Sequence, residues 1–281
     1  MMTPSSDGTL IVIAASQDGL TIASDSRQTL GQDIYCDDAE KVLVPSKPNR
    51  FLVAVTGRRG FYPIAINAHV HDICAYVAST QRELDIGEIA RTFVEETAPD
   101  VDLRKLNARE LAQRCIDALI AYFTTNPYWS PAISGQGFSS SVVIASYDPE
   151  TAQAFVRTIE ISSSADLKQL ITTDKLNEVF GLDDIAEPIL CGEGDYLRLH
   201  VLPTINDQSV SQTTKDQVGD FPRVSFPKVR DATVENSISL AGDLVASASK
   251  MTASVPAASG IGGRTIIWRI GSDPRPFKLK G

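Results

Sequence analysis

The apolar positions of this chain follow two rhythms, and the first sixty residues keep only one of them. Thr9-Leu10-Ile11-Val12-Ile13-Ala14-Ala15 is a short apolar run of strand length, too short to span a membrane. Asp18-Gly19 then supplies a two-residue hairpin signal, because the tight turns that join antiparallel strands need backbone at positive φ. Leu20-Thr21-Ile22-Ala23-Ser24 returns antiparallel and carries Asp25-Ser26-Arg27 back beside the start of the first strand. A second hairpin around Gly31 leads through Ile34-Tyr35 to a strand at Lys41-Val42-Leu43-Val44. Arg50 to Thr56 reads as another buried strand, stopped at Gly57.

The helical rhythm enters at Gly60. Tyr62, Ile66, Val70, Ile73 and Val77 recur at helical spacing and predict one amphipathic helix reaching to about Leu84. His69 and His71 lie on it two apart, hence on different faces, which is poor metal geometry. Asn107 to Tyr122 predicts a second helix, with Asn107 as N-cap and Glu110 as its box partner. Ser139 to Tyr147 is a strand, Asp148-Pro149-Glu150 a turn, and Ala154-Phe155-Val156 the returning strand. Ala232 to Lys250 reads as a later helix, Arg264 to Ile270 as a strand, and the residues after Asp273 as a short strand or tail. Two stretches stand apart as insertions: 161–187, with Ser162-Ser163-Ser164 and two helical turns rich in Leu and Asp, and the polar segment 206–230.

The rhythm changes meaning once chemistry is laid over it, because the reactive residues fall at strand ends. A threonine that becomes the first residue after cleavage at Gly8-Thr9 carries a hydroxyl nucleophile and a free α-amine that can serve as its base. Asp25 and Lys41 on neighbouring strands would set the charge around that pair. Each has a plain explanation when taken singly. Thr at a strand start reflects β propensity, Asp25 with Arg27 is a surface pair worth ~0–1 kcal/mol, Lys41 blunts a strand edge, and Gly57 ends a strand. Their joint spacing is what points to chemistry.

At that spacing, residues 9–60 resemble the catalytic β-type subunits of proteasomes, including the bacterial proteasome-like peptidases, within the threonine type of N-terminal-nucleophile hydrolases. The resemblance rests on Gly8-Thr9, Asp18-Gly19, Asp25-Ser26-Arg27, Lys41 and Gly57 in order. It implies an α+β fold, a four-layer αββα sandwich with two mainly antiparallel sheets between helical layers. It implies a short propeptide at 1–8 and a single hydrolase domain over 9–281 that carries the two insertions. Thr9 would be the nucleophile and Gly8-Thr9 the autocleavage site. Lys41 would lower the pKa of the Thr9 amine, Asp25 would hold Lys41, Gly57 would offer its N–H to the oxyanion, and Arg27 would support the site. No cofactor and no metal is required.

The supporting elements of that family match less closely. Cys191-Gly192-Glu193-Gly194-Asp195 stands where a Gly-Ser-Gly turn is expected, with Glu193 in the serine's place. Pro256-Ala257-Ala258-Ser259-Gly260 matches an Asp-x-x-Ser-Gly element at Ser259, a catalytic candidate, but has Pro256 at the aspartate; Arg230-Asp231-Ala232-Thr233 is a rival alignment.

The first reading is therefore a self-processing threonine endopeptidase that cleaves unfolded proteins or peptides inside a homo-oligomeric ring or stacked rings, with an ATP-dependent unfoldase as a candidate partner. A non-catalytic ring or scaffold subunit is the alternative, and a small-molecule amidase using the same nucleophile is a third. Charge and composition narrow the setting. A net charge of −9 argues against nucleic-acid or anionic-membrane partners. No run approaches the ~20 apolar residues that span a bilayer, and the first residues lack a cationic secretory stretch, so the expectation is cytoplasmic. Cys36, Cys74, Cys115 and Cys191 form no CxxC and read as buried thiols.

Overall fold

Every side chain of β1 (Leu10–Ser16) and β2 (Gly19–Asp25) is buried, and the alternation of their faces shows why so apolar a run is a strand. Leu10, Val12 and Ala14 face one core while Ile11, Ile13 and Ala15 face another. The computed structural model describes residues 9–29, 35–62, 73–98, 102–127, 137–192, 226–253 and 261–281. The hairpin between β1 and β2 turns at Gln17-Asp18, one residue before the expected pair, with Gly19 already opposite Ser16. Gly19 sits at φ +131°, and a Cβ there would collide with the carbonyl oxygen of Ile270, so glycine admits the neighbouring strand.

That neighbour is β13 (Thr265–Ile270), which pairs with β2 and with β14 (Phe277–Lys280). β12 (Ile189–Gly192) pairs with the other side of β1. The first sheet thus runs β12-β1-β2-β13-β14. The second runs β11-β10-β9-β6-β5, built from β5 (Val42–Leu43), β6 (Phe51–Gly57), β9 (Ser139–Asp148), β10 (Gln153–Ser163) and β11 (Leu170–Phe180). Both are antiparallel throughout. Two short pairs complete the strands: β3 (Gln28–Thr29) with β4 (Tyr35–Cys36), and β7 (Gly60–Phe61) with β8 (Leu84–Asp85).

The sheets meet through Ile11, Ile13 and Ile22 of the first and Leu52, Val143 and Val156 of the second. Burying each such side chain is worth about 1.5–3 kcal/mol. Four α-helices occur among the described residues: α1 (Ile73–Ser79), α2 (Ile86–Thr97), α3 (Ala108–Thr125) and α4 (Val234–Ala253). α4 lays Ala241, Leu244, Val245 and Ala248 on β1, β2 and β13. Phe93 of α2 and Leu111, Ile116 and Leu119 of α3 pack with Phe51, Val53, Ile144 and Phe155 of the second sheet.

The expected four-layer αββα sandwich is corrected by this architecture, a sheet-dominated α+β arrangement in which, among the described residues, helices cover parts of the sheets without completing layers. β14 is exposed at all four residues, and Ile171 of β11 is 62% exposed. Two local misreadings share the cause. The stretch 161–187, expected to hold two helical turns, instead contains β11, because Leu170 to Phe180 finds an antiparallel partner in β10. The single helix expected from Gly60 to Leu84 begins and ends instead in the β7–β8 pair, with α1 between them. His69 and His71 lie outside the described residues, as do most of the expected insertion at 206–230 and the 1–8 segment. α3 starts as expected: the Asn107 side chain accepts from the Glu110 N–H at 3.2 Å, although the Glu110 carboxylate turns to Arg114 rather than back to the cap.

Cys36 and Cys74 form a disulfide between β4 and α1, which corrects the reading of all four cysteines as buried thiols; Cys115 and Cys191 are buried thiols. Pairing depends on a tertiary approach that residue spacing does not encode. Alkylation of the denatured protein should therefore label two cysteines without reductant and all four after reduction, counted by mass spectrometry. Labelling of four without reductant would remove the bridge. Among the described residues, no helix is long and apolar enough to cross a membrane.

Candidate functional site

Asp25, the last residue of β2, is fully buried and collects four donors. Its Oδ1 accepts from the Leu10 N–H at 2.9 Å and from Lys41 Nζ at 2.8 Å. Its Oδ2 accepts from the N–H groups of Gly262 at 3.2 Å and Arg27 at 3.3 Å. One oxygen thus ties the Lys41 ammonium to the peptide that joins Thr9 to Leu10, so Nζ lies within two hydrogen bonds of Thr9. Lys41 is also buried and enters from the start of β5, in the other sheet.

Burial pushes the Asp25 carboxyl up and the Lys41 ammonium down from their ordinary values, and the attraction between the two opposes both shifts. Three backbone N–H groups aimed at the carboxylate favour its charged form. The arrangement therefore holds an ion pair in a low-dielectric place, with a lysine easier to deprotonate than one in water.

Thr9 itself is buried, 9% exposed. Two glycines shape the space around it: Gly57, the expected strand stop, and Gly192, which the hydrophobic pattern did not mark. Gly192 ends β12 opposite Leu10, at φ +73°. A Cβ there would collide with the Thr9 carbonyl oxygen and stand 3.0 Å from Thr56 Cγ2. Gly192 therefore brings the end of β6, where Thr56 leads into Gly57, against the start of β1. Gly57 leaves β6 at φ +75°, a conformation that suits glycine.

Arg27 points away from Asp25 and pairs side-on with Asp37, at 2.7 and 3.0 Å, holding that carboxyl below its ordinary range. The Ser26 hydroxyl donates to the Asp37 carbonyl and accepts from the Arg264 N–H at 2.7 Å. Gly262 accepts from the N–H groups of Ser26 and Arg27, so the segment before β13 wraps the Asp25-Ser26-Arg27 turn. The structure thus brings Thr9, Asp25 and Lys41 together, with Gly57 across Gly192 and Arg27 on the outer side. Gly8, Glu193, Pro256 and Ser259 lie outside the described residues. Gly192 carried one sequence signal, its place in Cys191-Gly192; Gly262 carried none, because its role is set by contact across 237 residues.

Beside the Lys41 segment opens a cleft of about 920 Å³, bounded by Gln28, Glu40, Arg59, Tyr62, Arg82 and the Cys36–Cys74 bridge. Among the described residues, no group of His, Cys, Asp or Glu converges as metal ligands would.

No family model matches the chain, and no curated protein does. Among solved structures, it is similar to a mutant of Anbu from Hyphomicrobium sp. strain MC1, at 15% identity and a TM-score of 0.42, covering 98% of this chain and 88% of that one. It is similar also to Anbu from the same strain, at 14% identity and a TM-score of 0.41, covering 97% and 88%. Likeness of this degree fixes neither fold nor activity. The expected identity as a proteasome β-type subunit or bacterial proteasome-like peptidase is accordingly corrected: the matches of residues 9–60 to that family extend to no family model, and the solved structures named here are Anbu.

Proposed function

We propose that the chain is a self-processing threonine peptidase in which Thr9 becomes the amino-terminal nucleophile once residues 1–8 are removed. The observation that carries this reading is the shared Asp25 Oδ1, which holds Lys41 Nζ and the Leu10 N–H one residue from the Thr9 hydroxyl. In the precursor, Thr9 Oγ attacks the Gly8 carbonyl carbon, the Gly8–Thr9 amide breaks, and an ester forms that water opens. The released α-amine, with a reference pKa of about 7.7–8.0, then accepts the Oγ proton as the hydroxyl attacks a substrate carbonyl. The Lys41 ammonium disfavours a second positive charge beside it and keeps the amine a base. In this reading Gly57 contributes its N–H to the developing oxyanion, where one donor is worth about 3–4 kcal/mol of barrier.

Ring assembly, unfolded-chain substrates and an ATP-dependent unfoldase extend this reading from the sequence alone. Cytoplasmic placement would expose the Cys36–Cys74 bridge to reducing thiols.

Intact mass of the purified full-length protein is the test, with Thr9→Ala beside it. Loss of residues 1–8 in the wild type alone is expected, and native mass of the same sample reads the assembly. A wild-type chain that keeps its leader after folding would sink the reading.

A further inference from the structure

Each nitrogen of the Arg59 guanidinium donates a hydrogen bond, and none of these acceptors belongs to the reacting set. Nε donates to both Asp85 oxygens at 2.9 and 3.1 Å, and Nη2 donates to Oδ2 at 2.9 Å. Nη1 donates to the carbonyl of Glu40 at 2.6 Å. That carbonyl belongs to the peptide that joins Glu40 to Lys41, so the backbone from which Lys41 projects is held by Arg59. The Arg59 carbonyl accepts in turn from the Ile86 N–H at 2.8 Å, at the start of α2.

Asp85 makes this hold rigid. It caps α2 by accepting from the Gly87 N–H at 2.8 Å, and it takes a second cation, Arg82, at 3.3 Å. Burial would raise its pKa, but the charges and hydrogen bonds of Arg59 and Arg82 prevail and hold it below the ordinary value. Both members of the Arg59–Asp85 pair are largely sequestered, with side chains 15% and 10% exposed. Gly87 fits beneath them because a Cβ there would stand 2.7 Å from Leu43 Cδ1 and 3.3 Å from Arg59 Nε.

We infer that Arg59 is a positioning residue that fixes Lys41 relative to the Gly57 strand end, two residues before it in sequence. This rests on the Thr9 reading for its catalytic meaning, though not for its structural content. A fork is needed: a lysine ammonium could not span the Asp85 carboxylate and the Glu40 carbonyl together. Displacing a reacting group by an ångström costs roughly a hundredfold in rate, and that is the loss expected from letting the Glu40–Lys41 peptide move.

The experiment has two arms. In the first, the full chain is made by cell-free synthesis and leader loss is followed by mass. Arg59→Ala should slow it by about a hundredfold, Arg59→Lys should not restore it, and millimolar guanidinium should restore it in part. In the second, lysine-Cε-labelled Thr9→Ala protein is titrated by NMR, with the Lys41 signal identified by its loss in Lys41→Arg. Arg59→Ala and Arg59→Lys should move that signal and its titration while the other lysines stay. A Lys41 signal unmoved in folded Arg59→Lys protein, or leader loss at wild-type rate in Arg59→Ala, overturns the inference. If the wild type keeps its leader while the Lys41 signal still moves, the Thr9 reading falls and the role of Arg59 stands.

Discussion

Lys41→Ala should retain its leader and cleave no peptide, with turnover down by at least about a thousandfold, while also melting far below the wild type. The two losses have different origins. The rate falls because the Thr9 amine no longer has an ammonium beside it and Asp25 no longer has its partner. The stability falls because a carboxyl with no exposed surface is left with only backbone donors. Breaking one side of a buried ion pair typically costs about 3–5 kcal/mol. The sign of the pH dependence follows from burial. Asp25 alone has a folded pKa above its unfolded value, so its ionisation opposes folding, and the penalty in Lys41→Ala grows as pH rises from the acid range and shrinks as pH falls. Asp25→Asn with Lys41→Met should recover most of the stability and none of the activity. A double variant as unstable as Lys41→Ala would place the loss elsewhere than in the unpaired charge.

Gly192→Ala is the second large effect, and it arises from geometry without charge. The residue sits at φ +73°, where a Cβ alone costs roughly 1–2 kcal/mol, and that Cβ would meet the Thr9 carbonyl oxygen and Thr56. The β12–β1 ladder must shift or open at Leu10. A total near 3 kcal/mol corresponds to a fall in melting temperature of roughly 6–12 °C for a chain of this size, and Thr9 moves with it. Leader removal should slow by roughly a hundredfold or more. Gly242→Ala is the fair control, since its Cβ would meet only the Ile267 Cδ1 methyl at 3.1 Å. Equal melting temperatures for the two variants would refute the account of Gly192.

What could be read from the sequence was what neighbouring residues decide between themselves. β1 and β2 follow from an apolar run interrupted by Gln17-Asp18-Gly19, and their pairing alone returns Asp25 to Leu10. The start of α3 follows from Asn107, whose side chain caps within its own turn. β11 was hidden because Leu170 to Phe180 has mixed polarity and becomes a strand only through β10. α2 was hidden because Gly87 near its start looks like a break, whereas it is small to admit Arg59 and Leu43. The same divide runs through the candidate site. Thr9, Asp25 and Lys41 stand within one contiguous stretch, but Gly192 and Gly262 reach it from distant segments and look like ordinary turn glycines until the chain is folded.

The first anchored donor of β1 is the Leu10 N–H, one peptide beyond the Gly8–Thr9 bond. Every rung of the two sheets among the described residues lies on the Leu10 side of that bond, so those ladders are kept when it is cut. The hold on Asp25 is complete only once Gly262 has arrived from 237 residues away. Under the proposed chemistry, removal of the leader is then a checkpoint: a chain cannot arm itself until its last strands are in place, and a truncated or misfolded copy stays inert.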